Sequence, residues 1–484
     1  MLALLLAAAI APPRFADPER AQKLAAAFPA IEQAFVAAVE RQHVPGALIG
    51  IIIDGKLVWT KAAGIRDAAS KAPVTADTRF RIASMTKGFT AMAILKLRDA
   101  GRLSLDDTAA KYVPELASLK YPTKDSPPIT IRHLLTHSEG FPEDNPWGDR
   151  QLARSNATVS AWMRKGIPFS NAPGLAYEYS NYGFAILGQI IERVSGKPYD
   201  VYVTDNILRP LGMSATTFDV PHAEIAVGHR WEDETWKAEP MLAHGAFGAM
   251  GGLWTTVSDL TRYVSFLMSA FPPRDDPESG PIRRASAREM QQAWRSASAT
   301  ATRASIDAPL QMTAASYGYG LRISRDCRFD HVVAHGGGLP GYGSYEQWLP
   351  EYGVGVITFA NLTYTSLSSV ANEALSAMLA TGALQKRVVQ PAPELLAAKE
   401  NVSRLMAKWN PELAERVAAD NLYLDVSAER RAKRFAELAE QHGACHAEPG
   451  LDAENALRGS WRMSCDRGSL VVSVTLAPTE PPTV

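Results

Sequence analysis

The segment TRFRIASMTKGFTAMAI, residues 78–94, places a serine and a lysine three positions apart at the start of an apolar repeat with helical spacing. The pattern predicts a helix from Ala83 to Leu97, with Ser84 in its first turn and Lys87 one turn later on the same face. Chance alone should bring a serine and a lysine to this spacing about once or twice in a chain of this length. The pair therefore needs support from the rest of the sequence.

The segments before this helix indicate a sheet that is covered by another helix. Residues Asp17 to Gln42 carry apolar side chains at helical spacing and predict a first helix. The following run ALIGIIIDGKLVWTKAAG, residues 47–64, contains two β-rich stretches joined by Asp54 and Gly55, which is a strong signal for a two-residue hairpin turn. A sheet is therefore predicted to begin in this run.

The middle of the chain is predicted to be mainly helical. The stretch from Gly101 to Pro173 is rich in proline and aspartate and contains short helical patches such as TIRHLLTH. A clean amphipathic helix is predicted from about Asn181 to a stop at Gly196. A further helix is predicted to begin near Ser258 and Asp259, which suit a helix N-terminus.

Strand-like runs return towards the C-terminus. YGYGLRI, HVVAHGGG, SYEQWLP and VGVITFAN predict short strands, and a helix is predicted from about Thr365 to Leu379. Because strands stand at both ends of this region with helices between them, we expect one sheet built from N-terminal and C-terminal parts. The predicted division is a signal peptide over residues 1–16, a discontinuous α/β catalytic domain over 17–97 and 174–388, a helical subdomain over 98–173, and a small C-terminal α+β accessory domain over 389–484.

Composition narrows the class of partner. The chain has 484 residues, a formal net charge of −1 at pH 7 and a pI near 6.8. It lacks the lysine and arginine runs that nucleic-acid binding uses. We therefore expect a small or neutral molecule as the substrate, with no nucleic-acid partner, no cofactor and no transmembrane span. The sequence sets no oligomeric state.

The N-terminus and the cysteines bear on the compartment. The apolar run from Leu2 to Ala11 is too short to span a bilayer but suits the core of a secretory signal. Export to the periplasm or the medium is predicted, and a cytoplasmic location is the alternative because no lysine or arginine precedes the run. Cys445 and Cys465 could pair in an oxidising compartment, which would leave Cys327 over.

Two further short patterns accompany the serine and lysine pair. Tyr179-x-Asn181 immediately precedes the helix that starts at Asn181, and His335-Gly336-Gly337 follows a strand-like run. Each of the patterns S-x-x-K, Y-x-N and H-x-G occurs once in the chain. A joint coincidence of residue type, order and placement is much rarer than any single match.

With these motifs the chain resembles the serine β-lactamase-like hydrolases, in particular the branch of class C β-lactamases, family VIII esterases, D-aminopeptidases and D-alanyl-D-alanine carboxypeptidases. The resemblance runs from about Pro45 to Asn361 and includes ITIRHLLTHSEG, YEYSNYGFAILGQIIERVSGK, ILRPLGMSATTF and HGGGLPGYGS. It implies an α/β (α+β) β-lactamase/transpeptidase-like fold, with an antiparallel sheet flanked by helices, an all-helical subdomain and an active site in the cleft between them.

The resemblance implies roles for the first two motifs. Ser84 would be the acylated nucleophile, Lys87 its proton partner, and Tyr179 the general base that later protonates the leaving group. Asn181 would orient Lys87 and the substrate, and Tyr177 competes with Tyr179 for the tyrosine role. Which of Lys87 and Tyr179 takes the serine proton stays open at this point.

The third motif bears on the substrate. The family often has Lys-Thr-Gly where this chain has His335-Gly336-Gly337, which would orient the substrate, while the backbone N–H groups of Ser84 and Gly338 would form the oxyanion hole. His335 is expected to be only partly charged near neutral pH, and a purely structural role for it is the alternative. Family members with H-x-G here are typically esterases or D-aminopeptidases, so efficient penicillin hydrolysis is not expected.

The predicted function is a metal-free serine hydrolase that acts on small esters or amides through an acyl-serine intermediate. The alternatives are hydrolysis of D-amino-acid peptides, as in D-aminopeptidases or DD-peptidases, and weak β-lactamase activity. A non-enzymatic alternative is a penicillin-binding sensor that is acylated without turnover. His133 and His137 have the spacing of metal ligands on a helix, but the glutamate of the H-E-x-x-H motif is missing, so no metal is predicted.

Overall fold

The helices and strands belong to two units. The computed structural model describes residues 15–303 and 305–484. One unit comprises residues 17–386, and the other comprises residues 387–484 together with Phe15 and Ala16. The sequence prediction began the C-terminal domain at residue 389. The run from Leu2 to Ala11, predicted to be a secretory signal, lies outside the described residues.

The part of the chain that the structure describes contains fifteen α-helices. In chain order they are α1 (Arg20–Ala25), α2 (Phe28–Arg41), α3 (Thr86–Asp99), α4 (Ile131–Leu135), α5 (Asn156–Lys165), α6 (Asn181–Ser195), α7 (Tyr199–Val203), α8 (Gly248–Gly251), α9 (Val257–Met268), α10 (Arg284–Met290), α11 (Ser368–Ala380), α12 (Pro393–Ala407), α13 (Pro411–Val417), α14 (Leu422–Asp425) and α15 (Ala428–His442). Short 3₁₀ turns lie at Ala83–Met85, Ala109–Lys111, Pro114–Ser118, Gly148–Gln151 and Pro350–Tyr352, and a π-helical turn lies at Thr204–Leu208.

The described residues also form seventeen strands. They are β1 (Gly46–Ile53), β2 (Lys56–Asp67), β3 (Ala72–Pro73), β4 (Phe80–Arg81), β5 (His229–Glu232), β6 (Thr235–Ala238), β7 (Trp254–Thr255), β8 (Arg295–Thr302), β9 (Gln311–Tyr317), β10 (Arg322–Asp326), β11 (Val332–Leu339), β12 (Tyr342–Leu349), β13 (Val354–Ala360), β14 (Cys445–Ala447), β15 (Asp452–Asn455), β16 (Arg458–Cys465) and β17 (Gly468–Thr475).

Nine strands form the main sheet of the first unit, in the order β3-β2-β1-β13-β12-β11-β10-β9-β8. β1 pairs antiparallel with β2 on one side and with β13 on the other. The N-terminal and C-terminal strands therefore form a single sheet, as predicted. Asp54 and Gly55 connect β1 to β2 with φ angles of 52° and 77°, which fit the predicted two-residue hairpin turn.

The composition of β1 explains why helices cover both faces of this sheet. All eight of its residues are buried. Leu48 and Ile52 belong to the hydrophobic cluster that includes α3 and α9, whereas Ile49 and Ile51 belong to the cluster that includes α2 and α11. Alternate residues of a strand point to opposite faces, so an unbroken apolar run is the pattern of a central strand buried on both sides.

Two predicted helices differ from the observed ones. The predicted helix from Asp17 to Gln42 is interrupted, because Pro29 lies near the start of α2 and its ring would clash with the carbonyl four residues earlier. The predicted helix from Ala83 begins as a 3₁₀ turn and becomes α-helical at Thr86. Ser84 therefore precedes α3 instead of lying inside it.

The predicted helical insertion contains short elements. The described residues 98–173 hold α4, α5 and the 3₁₀ turns at Ala109–Lys111, Pro114–Ser118 and Gly148–Gln151, and no strand of the main sheet. The rest of the segment consists of turns and irregular chain, as its proline and aspartate content leads one to expect. Asn145, Pro146 and Asp149 of this segment line one side of the candidate active site.

The second unit is built on four helices and a small antiparallel sheet. β16 pairs with β17 along its length and also with β14 and β15. Leu395, Trp461 and Met463 are buried in the core of this unit. A disulfide bond joins Cys445 to Cys465 across β14 and β16, whereas Cys327 is an exposed free thiol. None of the described helices combines the length and the apolar character needed to cross a membrane.

Candidate active site

Ser84 lies in the tight turn that precedes α3. Ala83, the residue before it, has a φ of 47°, a backbone region that residues other than glycine rarely adopt. The turn is fixed against the main sheet, because the hydroxyl of Ser344 on β12 donates to the carbonyl of Ile82 at 2.9 Å. Strained backbone of this kind is common where a side chain must be held in one orientation for function.

The side chain of Lys87 reaches back to Ser84. Its Nζ lies 3.0 Å from Ser84 Oγ, 2.7 Å from Asn181 Oδ1 and 3.1 Å from the carbonyl oxygen of Met250. The last two atoms can only accept hydrogen bonds. A neutral Lys87 amine would donate its two hydrogens to them and keep its lone pair for the hydroxyl hydrogen of Ser84.

The surroundings of Lys87 favour that neutral form. The side chain is fully buried, and burial lowers the pKa of Lys87 to about 7, although the carboxylates of Asp149 and Asp144 act in the opposite direction. Removal from water disfavours the ammonium form of a lysine. Near neutral pH a substantial fraction of Lys87 is therefore free to accept a proton.

Tyr179 lies beside the same pair. The Lys87 ammonium nitrogen is 4.8 Å from the centre of the Tyr179 ring. Burial raises the pKa of Tyr179 well above its usual value, and a hydrogen bond with Ser84 offsets only part of that effect. Tyr179 is thus a neutral phenol in the resting site. Ser84 and Tyr179 line the same cleft and the competing Tyr177 does not, so Tyr179 is the tyrosine that the fold brings to Ser84.

Helix α6 orients Asn181. The side chain of Ser180 caps the helix by accepting from the N–H of Gly183 at 3.1 Å. The carboxylate of Asp144 accepts from the N–H of Asn181 at 2.8 Å, and the Asn181 amide nitrogen donates to Asn145 Oδ1 at 2.7 Å. These bonds leave Asn181 Oδ1 facing Lys87.

His335 lies inside β11, with both ring nitrogens engaged by the protein. Nδ1 donates to the carbonyl of Gly336 at 2.6 Å, and Nε2 accepts from the hydroxyl of Tyr317 at 2.8 Å. Burial lowers the pKa of His335 well below its usual value, with the charge of Arg322 as a further cause. The sequence led us to expect partial charge on His335, whereas this environment keeps it neutral.

The glycines after His335 give β11 a close approach to the nucleophile turn. A Cβ atom on Gly337 would lie 2.1 Å from the carbonyl oxygen of Ile82 and 2.2 Å from Ser344 Oγ. A Cβ on Gly336 would have no neighbour nearer than 3.5 Å. Gly337 therefore has to be a glycine, while Gly336 has room for a methyl group.

The predicted site residues come together at one cleft of about 460 Å³. Its lining consists of Ser84, Asn145, Pro146, Asp149, Tyr179, Arg322, His335, Gly336, Gly338 and Tyr364. Lys87 and Asn181 are wholly buried; Lys87 contacts Ser84, and Asn181 contacts Lys87. Ser84 and Gly338, whose N–H groups were predicted to bind the oxyanion, share this lining.

Sequence reasoning missed several residues of the cleft. Asp149 lies in a segment rich in acidic residues, where no spacing distinguishes it, and Arg322 follows the strand-like YGYGL without any motif. The carbonyl of Met250 binds Lys87, but a contact made by a backbone atom cannot be predicted from the type of the residue.

Arg322 is the most prominent of the missed residues. It is exposed at the start of β10, and its guanidinium carbon lies 5.8 Å from the centre of the Tyr179 ring. Within the described residues its guanidinium has no hydrogen bond and no ion pair. The cleft thus carries a cation that the third motif does not supply.

The two histidines with metal-ligand spacing have other partners. His133 Nδ1 accepts from the N–H of Thr130 in a capping box at the start of α4. His137 Nδ1 accepts from the N–H of Ser180 at 3.1 Å, and its ring packs 4.3 Å from that of Tyr179. Both side chains therefore support the segments around the site.

Sequence comparison identifies a family and relatives of this chain. A family model described as Beta-lactamase matches residues 31–378. Protein flp of Staphylococcus aureus (strain MW2) is 31% identical over 338 residues, which cover 67% of this chain and 61% of that protein. The chain thus spans less than two thirds of the length of this relative.

Solved structures share the fold. The octameric penicillin-binding protein homologue from Pyrococcus abyssi superposes with a TM-score of 0.62 at 24% identity, covering 93% of this chain and 91% of that one. The D-alanine carboxypeptidase AmpC from Burkholderia cenocepacia superposes with a TM-score of 0.57 at 20% identity, covering 74% and 99%. These likenesses confirm the predicted β-lactamase/transpeptidase-like architecture.

Proposed function

The chain belongs to the β-lactamase family of serine hydrolases, and we propose that it cleaves small esters or amides through an acyl-Ser84 intermediate. The observation that carries the proposal is the buried contact between Ser84 Oγ and Lys87 Nζ at 3.0 Å, at the floor of an open cleft. A serine hydroxyl needs a base within hydrogen-bond reach to become a nucleophile, and Lys87 meets that requirement.

In the acylation step, neutral Lys87 takes the proton of Ser84 as Oγ attacks the substrate carbonyl carbon. The negative charge that develops on the carbonyl oxygen is stabilised by the N–H groups of Ser84 and Gly338. Tyr179 donates its hydroxyl proton to the leaving oxygen or nitrogen, and the Lys87 ammonium returns a proton to Tyr179. The ester or amide bond breaks, the alcohol or amine leaves, and the acyl group stays on Ser84.

Deacylation follows the same route with water as the nucleophile. A water molecule gives a proton to the Tyr179 and Lys87 pair and attacks the acyl carbon, after which Ser84 recovers its proton and the acid is released. Because Tyr179 lies beside Ser84, we favour an enzyme that turns over its substrate, and not a sensor that is acylated only once. A sensor would produce one equivalent of leaving group and then stop.

A fluorophosphonate probe tests the proposal. We expect it to label Ser84 in the native protein, and we expect Ser84→Ala to abolish both labelling and hydrolysis of p-nitrophenyl butyrate. Ser160→Ala, which alters a buried serine of α5 outside the cleft lining, should still be labelled. Undiminished hydrolysis by Ser84→Ala would refute the proposal. Comparing p-nitrophenyl butyrate, a D-alanyl anilide and a chromogenic cephalosporin would separate esterase, aminopeptidase and β-lactamase activities.

We also propose export to the periplasm or the medium. The disulfide between Cys445 and Cys465 supports it, because structural disulfides persist mainly in oxidising compartments. Fractionation of cells that express the full chain would test this, and recovery of the protein only in the reducing cytoplasm would contradict it.

Arg322 favours a second candidate, hydrolysis of short peptides or esters whose leaving group ends in a carboxylate. A guanidinium that has no hydrogen bond or ion pair with the described residues suits a bidentate carboxylate ligand. Because Arg322 stands over Tyr179, the proposed acid for the leaving group, a carboxylate bound there would belong to the leaving side of the substrate.

Paired substrates test this second candidate. We expect Arg322→Gln to lower kcat/KM for N-acetyl-D-alanyl-D-lactate about tenfold or more. The same substitution should have little effect on kcat/KM for the ethyl ester of N-acetyl-D-alanine, whose leaving group has no carboxylate. Arg325→Gln is the matched control, because Arg325 lies on the same strand but is 70% exposed and outside the cleft. An equal loss for both substrates would argue against carboxylate recognition.

A further inference from the structure

Asp149 is a buried carboxylate that the proposed acylation step does not use. It is 3% exposed, and it lines the same cleft as Ser84. Its Oδ1 has no hydrogen-bond partner among the described residues. Buried acceptors without a donor are rare in native proteins. In a ligand cleft, an acceptor of this kind suggests that the ligand supplies the hydrogen-bond donor.

Tyr364 completes this end of the cleft. Its hydroxyl lies near the Asp149 carboxylate, whose charge helps to raise the pKa of Tyr364 after burial. Its backbone φ is 52°, which is unusual for an aromatic residue, and its ring lies against Gly338, where an added Cβ would be 2.8 Å from Tyr364 Cδ1. An anionic carboxylate beside an aromatic face is a combination that binds ammonium groups.

Arg322 and the Tyr364 neighbour of Asp149 lie beside different parts of β11. Arg322 pairs with Ala334 near the start of β11, whereas Tyr364 packs on Gly338, four residues later and therefore about 13 Å along the strand. The Ser84 turn approaches β11 between them, at Gly337. If Arg322 marks the side of the leaving group, Asp149 lies on the acyl side.

We propose that Asp149 and Tyr364 form a subsite for the α-ammonium group of an amino-acid ester or amide, on the acyl side of the bond that Ser84 attacks. The inference rests on the proposed acyl-Ser84 function and names a substrate class for it. A substrate with a free amino group places its ammonium against Asp149 Oδ1 and supplies the missing donor. An acyl group without an amine leaves that oxygen unsatisfied.

A pair of covalent probes separates this inference from the proposed function. Diphenyl 1-aminoethylphosphonate and diphenyl ethylphosphonate both phosphonylate an active serine and differ only in the amino group. Labelling rates are followed by intact mass at a pH above the pKa of Lys87, so that the base is neutral throughout. The native protein should react faster with the amino probe, and Asp149→Asn should lower that rate about tenfold while leaving the ethyl probe nearly unchanged.

Control variants separate a loss of ammonium recognition from a general loss of reactivity. Glu143→Gln removes an acidic residue that faces the neighbouring cavity, and it should keep the native preference for the amino probe. Equal rates for the two probes in the native protein would overturn the inference even if the Asp149 variant failed to fold. An equal loss for both probes in a folded Asp149→Asn protein would also overturn it, because Asp149 would then act only through Lys87. No labelling of the native protein by either probe would refute the acyl-Ser84 function itself.

Discussion

At the scale of single residues, burial sets the protonation states on which the chemistry depends. Lys87 and Tyr179 are both enclosed, and removal from water disfavours the charged form of each. The lysine is therefore shifted towards a free amine and the tyrosine towards a neutral phenol. These states support the proposed proton roles, with Lys87 as the base for Ser84 and Tyr179 as the acid for the leaving group.

The pH dependence of acylation follows from Lys87. Because its pKa is lowered to about 7, Lys87 is protonated and unable to act as a base below that pH, and neutral above it. We expect kcat/KM for an uncharged ester to rise with pH through about 7 and then to level off. Initial rates with a substrate that does not titrate would check this, and a rate that falls as pH rises through the same range would contradict it.

Tyr179→Phe should affect substrates according to their leaving groups. A neutral phenol that protonates the leaving atom matters most when that atom is a poor leaving group. We expect a loss of about 10²-fold or more for an alkyl ester or an amide and a much smaller loss in the acylation rate for a p-nitrophenyl ester. Tyr177→Phe serves as the control, since Tyr177 lies outside the lining of the cleft to which Tyr179 belongs. Equal losses for both leaving groups would argue against this role.

Sequence predicted Ser84, Lys87, Tyr179 and Asn181 as one group because residue type and placement carry that information. It could not predict that His335 is buried and hydrogen-bonded to Tyr317, since that depends on a contact between β9 and β11. It also could not select Asp149 among the many acidic residues of the insertion. Such choices depend on three-dimensional burial, which a local pattern does not encode.

At the scale of elements, β11 and the Ser84 turn form a single packed junction. Gly337→Ala would force a methyl group to within 2.1 Å of the Ile82 carbonyl oxygen, so the strand or the turn would have to move. We expect a loss of about 1–3 kcal/mol in the free energy of unfolding and a large loss of ester hydrolysis. Denaturant unfolding and kcat/KM measure the two effects.

Gly336→Ala is the matched control for this junction, because its added methyl group would have its nearest neighbour at 3.5 Å. It should retain most of the stability and of the activity. If the two alanine variants behaved alike, close packing at Gly337 would not explain why the motif ends in glycine.

Predictions of elements succeeded where a local signal was strong. The hairpin at Asp54 and Gly55 and the helix that ends at Gly196 are found as expected. The helix expected to begin near Ser258 is instead capped by Thr256, whose side chain accepts from the N–H of Asp259. Serine and threonine are both good N-caps, so residue type alone does not select between Thr256 and Ser258. The path of the chain into the helix determines which of them caps it.

At the scale of the whole molecule, the family-like chemistry belongs to the unit of residues 17–386. The unit of residues 387–484 lies outside the matched family region and has its own core and disulfide. Composition and pattern predicted a small α+β domain there. They carried no information on its role, because its sequence contains no motif with a chemical mechanism.

The disulfide should matter for that unit and not for catalysis. Cys445→Ser together with Cys465→Ser opens a loop of 20 residues, and we expect the second unit to lose about 3 kcal/mol of stability. Hydrogen exchange should become faster in β16 and β17, while exchange around Ser84 and ester hydrolysis stay unchanged. A matching loss of activity would show that the second unit takes part in the reaction.

The measurement that tests the central claim most directly is a rapid acid quench during turnover of p-nitrophenyl butyrate, followed by mass mapping of peptides. We predict a burst of p-nitrophenol of about one equivalent and a butyryl group on the peptide that contains Ser84. The group should be absent from Ser84→Ala and should disappear when the substrate is exhausted. A butyryl group on another residue, or steady hydrolysis without any acyl-enzyme even when deacylation is slowed by Tyr179→Phe, would contradict the account.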